Sequence, residues 1–354
     1  MKIVQVVKNY APNGGMEEYV YRLCNELAVK GNNVTVLCQS SSTKSSCDVE
    51  VVELGTYRKP HWISHFRFSA AVDHWLNNNP DSNRIIHSHE RQKSHHVTTF
   101  HTTPFCTGSR KKLQHFLSPR HQLLEFLERR ELKSHSVKAV VPVSGILLRA
   151  IRQKHLAINA PLKEPIQPGV LIKPVVPEDR NSPPKNGGTI GFMGREWKRK
   201  GLHRVIEIWR FLKIYRPDLS LKVAGFPFGE FSDKTLLGEE GLQVLGWIED
   251  KETFFKEIDL LIHPAKMEAF GMVIAEALTS CVPVLCSTEC GASEIVGSDQ
   301  GKCIPVNAST EIWGRAAAEF LDKPHRQSPY SRSWCRVADE YQELYTSILS
   351  ESNS

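Results

Sequence analysis

Three absences narrow what this chain can be. No run of about eighteen apolar residues occurs, so no segment reads as a membrane-crossing helix. The opening Met1-Lys2-Ile3-Val4-Gln5-Val6-Val7-Lys8 is too short and too interrupted by polar residues for a secretory leader. No CxxC pair is present, and the nine cysteines are odd in number, most inside apolar segments such as those of Cys24, Cys38 and Cys286. Reduced core thiols are expected from that pattern. Cys281, Cys286 and Cys290 cluster, but without metal-site spacing and beside a predicted buried strand. A cytoplasmic protein is expected. Its 354 residues with 40% hydrophobic content suffice for two domains. A net charge of +6, with 15 histidines uncounted, favours phosphate-bearing ligands or an anionic membrane surface without requiring nucleic acid.

The stretch Ile258–Gly291 carries the strongest signal. Leu260-Leu261-Ile262 predicts a buried strand ending at His263-Pro264, Ala269 to Thr279 a largely buried helix, and Val282 to Leu285 a second strand. Such a βαβ unit binds its ligand beyond the carboxyl end of the strand. On a continuous helix Glu268 and Glu276 lie about 12 Å apart, too far to share a proton. Between them the N–H groups of Phe270, Gly271 and Met272 are expected as first-turn donors that favour an anion, and Gly271 has no Cβ to block its approach. A diphosphate between two hydroxylated rings, as in a nucleotide sugar, fits. The alternative is a dipole partner at a helix start followed by a solvated side chain. A similar pattern recurs where the predicted strand Thr189–Met193 runs into Gly194-Arg195-Glu196-Trp197-Lys198-Arg199-Lys200-Gly201, four cations between two glycines. That loop suits a diphosphate or is merely an exposed basic turn.

In the first half, a strand over Ile3–Val7 leads through Gly14-Gly15 to an amphipathic helix from Met16 to about Lys30. The segment HSHERQKSHHVTTFH, His87 to His101, is dense in histidine. Alternate residues of a strand do not converge on an ion, and Glu90 is the one acidic neighbour, so a metal site is not expected. Residues 105–135 are basic and helical, with Arg110, Lys111, Lys112, Arg120, Arg129, Arg130 and Lys133 interleaved with leucine and phenylalanine. Either an ordinary solvated helix face or a membrane-surface patch satisfies that composition. Stacking aromatics of a single-strand nucleic-acid binder are missing.

HPAKMEAFGMVIAEAL, with Glu268 and Glu276, resembles the signature of the large group 1 family of retaining glycosyltransferases. The resemblance implies an α/β protein of GT-B fold, two Rossmann-like doubly wound domains facing a central cleft. Residues 1–165 would form the acceptor domain, 166–330 the nucleotide-sugar domain, and 331–354 a helix crossing back to the first. It implies that Arg195 and Lys200 clamp the diphosphate, that Glu268 orients the sugar hydroxyls and that Glu276 holds the ribose. Phe270, Gly271, Met272 and Val273 would meet the donor through the helix start, Gly14-Gly15 would approach its distal phosphate, and Ile248 would border the base. His101 would donate a hydrogen bond to a hydroxyl or phosphate of the donor, and Glu17 and Glu18 would face the acceptor. No cofactor is implied, nor a metal: no Asp-x-Asp pair lies near a nucleotide loop, and the cations replace it. YAPNGGMEEYVYRL and the basic stretch are similar to enzymes that add glucose, from UDP-glucose, to the heptose of lipopolysaccharide core. Partners would then be the donor, a saccharide or glycolipid acceptor and the inner face of the cytoplasmic membrane through residues 105–135. Alternatives are a sugar-nucleotide epimerase or phosphorylase of related fold, or a non-catalytic scaffold at a membrane surface.

Overall fold

In the computed structural model, contact density divides the chain into two units, Met1–Gly169 with Arg332–Ser354, and Val170–Ser331. The structure describes residues 1–43, 48–55, 61–104, 118–155, 161–172, 184, 187–227, 229, 238–323 and 328–352.

The first unit contains strands β1 (Lys2–Val6), β2 (Asn9–Tyr10), β3 (Asn33–Cys38), β4 (Ser40–Ser41), β5 (Val49–Glu53), β6 (Arg84–Ser88), β7 (Val97–Phe100) and β8 (Ala139–Pro142). Six form one parallel sheet in the order β5-β3-β1-β6-β7-β8, with Val4 opposite Thr35 and Ile86, while β2 and β4 pair separately. β-Branched runs such as Val34-Thr35-Val36 and Val97-Thr98-Thr99 suit strands covered on both faces. Helices α1 (Met16–Val29), α2 (His61–Asn78), α3 (Pro119–Lys133) and α4 (Gly145–Lys154) connect them. The C-terminal helix, Trp334–Ser352, packs on α1.

The second unit repeats the plan with β9 (Thr189–Met193), β10 (Ser220–Ala224), β11 (Leu242–Gly246), β12 (Leu260–His263), β13 (Val284–Ser287) and β14 (Gly301–Ile304), ordered β11-β10-β9-β12-β13-β14 and parallel throughout. Its helices are α5 (Trp197–Lys200), α6 (Leu202–Lys213), α7 (Lys251–Lys256), α8 (Met272–Thr279) and α9 (Thr310–Leu321). Trp209 and Trp313 are fully buried among Phe192, Leu221, Leu260 and Leu285, where α6 and α9 cover one face of the sheet. Each such side chain stabilises the fold by roughly 2 kcal/mol. Asp250 and Ser309 cap α7 and α9 by accepting from the N–H groups of Thr253 and Ile312.

Both sheets follow the doubly wound order in which strand one is flanked by strands two and four. The chain reverses direction at β1/β6 in one unit and at β9/β12 in the other, which puts a ligand crevice beyond the carboxyl ends of those strands.

Candidate functional site

Beyond β9 and β12 the second unit gathers charge. The chain leaves β9 through Gly194, where a Cβ would lie 2.4 Å from Cδ of Lys200. Lacking one, Gly194 lets the Lys200 side chain run across the strand end. From β12 the chain passes through Pro264 to Glu268, whose backbone is stitched to the segment after β13: Glu268 N–H donates to the Glu289 carbonyl (3.1 Å) and Gly291 N–H to the Glu268 carbonyl (3.0 Å).

That pairing corrects one expectation. The helix predicted from Ala269 begins at Met272, so Glu268 precedes it in extended backbone, and the separation inferred from helical rise does not apply. Phe270 is likewise outside the helix, its carbonyl accepting from Ala292 N–H at 2.7 Å. Gly271 is the N-cap at φ +99°, a left-handed conformation that favours glycine. The first helical residues are Met272 and Val273, whose N–H groups have no acceptor inside the helix. Local propensity called for helix from Ala269; the bridge to Cys290 and the reversal at Gly271 override it.

Three cationic or imidazole groups meet one oxygen of Glu268. Arg199 Nη1 lies 3.3 Å from Oε2, Lys200 Nζ 3.6 Å and His263 Nε2 3.9 Å. Burial alone would push this carboxyl up, but His263, Lys200 and Arg199 together hold it down at about 2. Burial keeps the fully enclosed His263 below its ordinary value against the pull of Glu268, and neither ring nitrogen has a hydrogen-bond partner among the described residues. Oε1 of Glu268 has no hydrogen-bond partner among the described residues. Arg195 is exposed and has no ion-pair partner among the described residues. Glu276 is buried in α8 and accepts from Lys251 Nζ through Oε1 at 2.6 Å. Half-buried Ile248 follows β11. Anchored carboxylates, a cation cluster and a helix start at one switch point can hold an anion while binding hydroxyls.

In the first unit Gly14 and Gly15 precede α1, and the Gly15 carbonyl accepts from Tyr19 N–H at 3.3 Å. Glu17 and Glu18 occupy its first turn, Glu18 lying 3.8 Å from Arg22. His101 follows β7 with Nε2 2.8 Å from Nδ1 of His89. Burial holds its pKa down at about 3, so the ring is neutral. His87 bonds Tyr345 and Thr99. Of the basic stretch 105–135, residues 105–117, with Arg110, Lys111 and Lys112, lie outside the described residues. In α3, Leu124, Leu127 and Leu132 are buried within the unit's own core, while Phe126 is exposed.

Arg199, His263 and Lys251 are site neighbours that the sequence reading did not single out. Arg199 is one of the four cations of the loop after β9, and His263 is a strand end and the first residue of the HPAKMEAFGMVIAEAL signature, without an individual role. Lys251 lies 25 residues from Glu276 with no local signal to join them.

Two doubly wound units, each with its switch point, define a two-domain α/β protein of GT-B type. Residues 13–162 match the family described as Glycosyltransferase Family 4, and residues 176–334 match Glycosyl transferases group 1. The chain belongs to the group 1 glycosyltransferases of GT-B fold. It is similar to the lipopolysaccharide glucosyltransferase WaaG of Escherichia coli K12, 24% identical over 95% of this chain and 94% of that protein. A crystal structure of WaaG shares the fold at a TM-score of 0.75 and 19% identity, covering 96% of this chain and 95% of the other. The fold also matches Anabaena HepE solved in complex with UDP-glucose, at a TM-score of 0.65 and 17% identity over 98% of this chain and 100% of the other. Among the described residues no helix is long and apolar enough to cross a membrane.

Proposed function

We propose that this glycosyltransferase moves glucose from UDP-glucose, with retention of anomeric configuration, onto a saccharide acceptor in the heptose region of lipopolysaccharide core. The name of the WaaG relative and the ligand of HepE support the choice of acceptor and donor. The observation that carries the chemistry is the meeting of Lys200, Arg199 and His263 on one oxygen of Glu268 beside the start of α8. Arg195, Lys200 and the N–H groups of Met272 and Val273 stabilise the diphosphate as it leaves, an electrostatic role. A carboxylate held at about 2 stays ionised and accepts from sugar hydroxyls through Oε1. Glu276, with Lys251 on one oxygen, offers the other to the ribose. Gly14-Gly15 and His101 serve the donor and Glu17 and Glu18 the acceptor. No carboxylate acts as a covalent nucleophile, so the leaving group departs from the face at which the acceptor attacks, without metal. A lipid-anchored, phosphorylated acceptor gives the basic stretch 105–135 an anionic surface to meet.

Titration calorimetry with UDP, GDP and their glucose and mannose conjugates, followed by product analysis on a heptose-terminated core acceptor, tests this reading. Tight binding of the uridine pair and an α-linked glucosyl product are expected. Failure of every nucleotide to bind overturns it.

A further inference from the structure

The histidines and tyrosines around β1, β6 and β7 form one continuous line of hydrogen bonds, and its direction can be worked out from one end. At that end Tyr19 hydroxyl bonds the Ile166 carbonyl at 3.4 Å, and a carbonyl can only accept. Tyr19 has thus used its proton, so Tyr341 donates to it across 3.0 Å. Thr99 then donates to Tyr341 (2.7 Å), and His87 donates to Thr99 through Nε2–H (2.7 Å). Neutral His87 has a bare Nδ1, which accepts from Tyr345 at 2.6 Å. With its own proton spent, Tyr345 accepts from the Gln5 amide nitrogen (3.2 Å), so the Gln5 amide oxygen faces His89 and accepts from its Nε2–H at 2.9 Å. His89 is left with a bare Nδ1, to which His101 donates through Nε2–H at 2.8 Å.

We propose that this relay fixes His101 in the Nε2–H tautomer, with Nδ1 a bare acceptor reserved for a substrate hydroxyl, so that Tyr19, Tyr341, Tyr345, His87, His89 and Gln5 are positioning residues for the transfer reaction. The direction expected from the sequence is thereby reversed: His101 accepts rather than donates. A lone pair aimed at phosphate oxygens repels them, whereas a sugar hydroxyl donates to it. The site that His101 serves therefore reads a hydroxyl and rejects an anion.

The rings are held in place as well as in protonation state. Tyr19 packs edge-on against His101 with ring centroids 4.8 Å apart, and His87 lies 4.2 Å from His89. Burial drives His87 and His89 far below the ordinary imidazole range, so no member carries a second proton that would break the one-way order. His101 is half-buried, and among the described residues only its Nε2, not its Nδ1, has a hydrogen-bond partner. Reversing the relay would oblige Tyr19 to donate toward Tyr341 and abandon Ile166, leaving a buried carbonyl without that bond.

The hydroxyl assignment rests on the glycosyltransferase reading, but the tautomer does not. Two-bond nitrogen–proton correlation spectra of ligand-free protein labelled with ¹⁵N-histidine, assigned with His101→Asn, should show His101 protonated at Nε2 and bare at Nδ1 near neutral pH. Tyr19→Phe removes the anchor and should populate the Nδ1–H form, with kcat for glucosyl transfer falling about 10-fold, the worth of one hydrogen bond, while UDP affinity holds. Tyr345→Phe frees Gln5 to rotate and provides the same readout should Tyr19→Phe not fold. An Nδ1-protonated His101 in the wild type overturns the proposal, as does a tautomer unchanged in both variants. The tautomer outcomes stand whatever the donor proves to be.

Discussion

The two units share one strand order yet treat buried polar groups in opposite ways. Around the switch point of the first, the histidines are neutral: His87, His89 and His101 are held below their ordinary range by burial, and they bond one another, tyrosines and Gln5. Nearby Glu131, fully enclosed against Thr98, is pushed up to about 8. Around the switch point of the second, the groups are charged: Glu268 is held down at about 2 by Lys200, Arg199 and His263. A neutral, directional network suits hydroxyls, which need an acceptor of fixed placement. A charged cluster beside a helix start suits an anion. Topology provides the crevice in both; the side chains after each strand decide what it holds.

Substitutions in either unit test that contrast. The largest effect is expected of Lys200→Ala, which removes the cation nearest Gly194: glucosyl transfer should fall ~10³-fold in kcat with donor KM little changed, read by steady-state kinetics. An unchanged kcat would dismiss a leaving-group role for Lys200.

The pH response comes next. Glu268 lies below its unfolded value of 4.5, so its stabilisation is full above that pH and is lost as pH falls toward about 2. Glu131 lies above 4.5, so its contribution is full below that pH and is lost as pH rises toward about 8. These are on the order of 3 kcal/mol for Glu268 and 5 kcal/mol for Glu131. Thermal melts should show Glu268→Gln flattening the acid limb and Glu131→Gln flattening the limb between pH 4.5 and 8. Parallel curves for wild type and both variants would erase the distinction between the units.

Glu276→Ala should raise the KM for the donor ~10-fold and leave kcat within about a factor of two, since it removes hydrogen bonds to a part of the substrate that does not react. A fall in kcat alone would reassign Glu276. The smallest effect concerns the exposed side of α3. Exchanging Arg129 or Lys133 for Glu should weaken co-sedimentation with anionic liposomes by ~1 kcal/mol per residue. Binding that ignores both charge and salt would remove the membrane reading.

The sequence was most legible where local pattern and tertiary role agree. Leu260-Leu261-Ile262 is a buried strand, Thr189–Met193 is another, and the cations after it lie at its carboxyl end. Legibility failed where a residue's conformation is set by a partner far along the chain. Glu268 read as helical because its neighbours are helix formers, but its backbone pairs with Cys290. His87 is opaque in the sequence because Tyr345, which it bonds, lies 258 residues further along the chain.

Read alone, the chain shows its buried strands and the two repeats of strand, glycine loop and helix, because hydrophobic period and turn chemistry are local properties, and the class of fold follows from the family resemblance of HPAKMEAFGMVIAEAL. Tertiary structure alone decided which oxygen of Glu268 faces Lys200, that Lys251 occupies one side of Glu276, and which way the hydrogen bonds run from Ile166 to His101. Those depend on burial and on contacts between distant segments, which exist only once the chain has closed on itself.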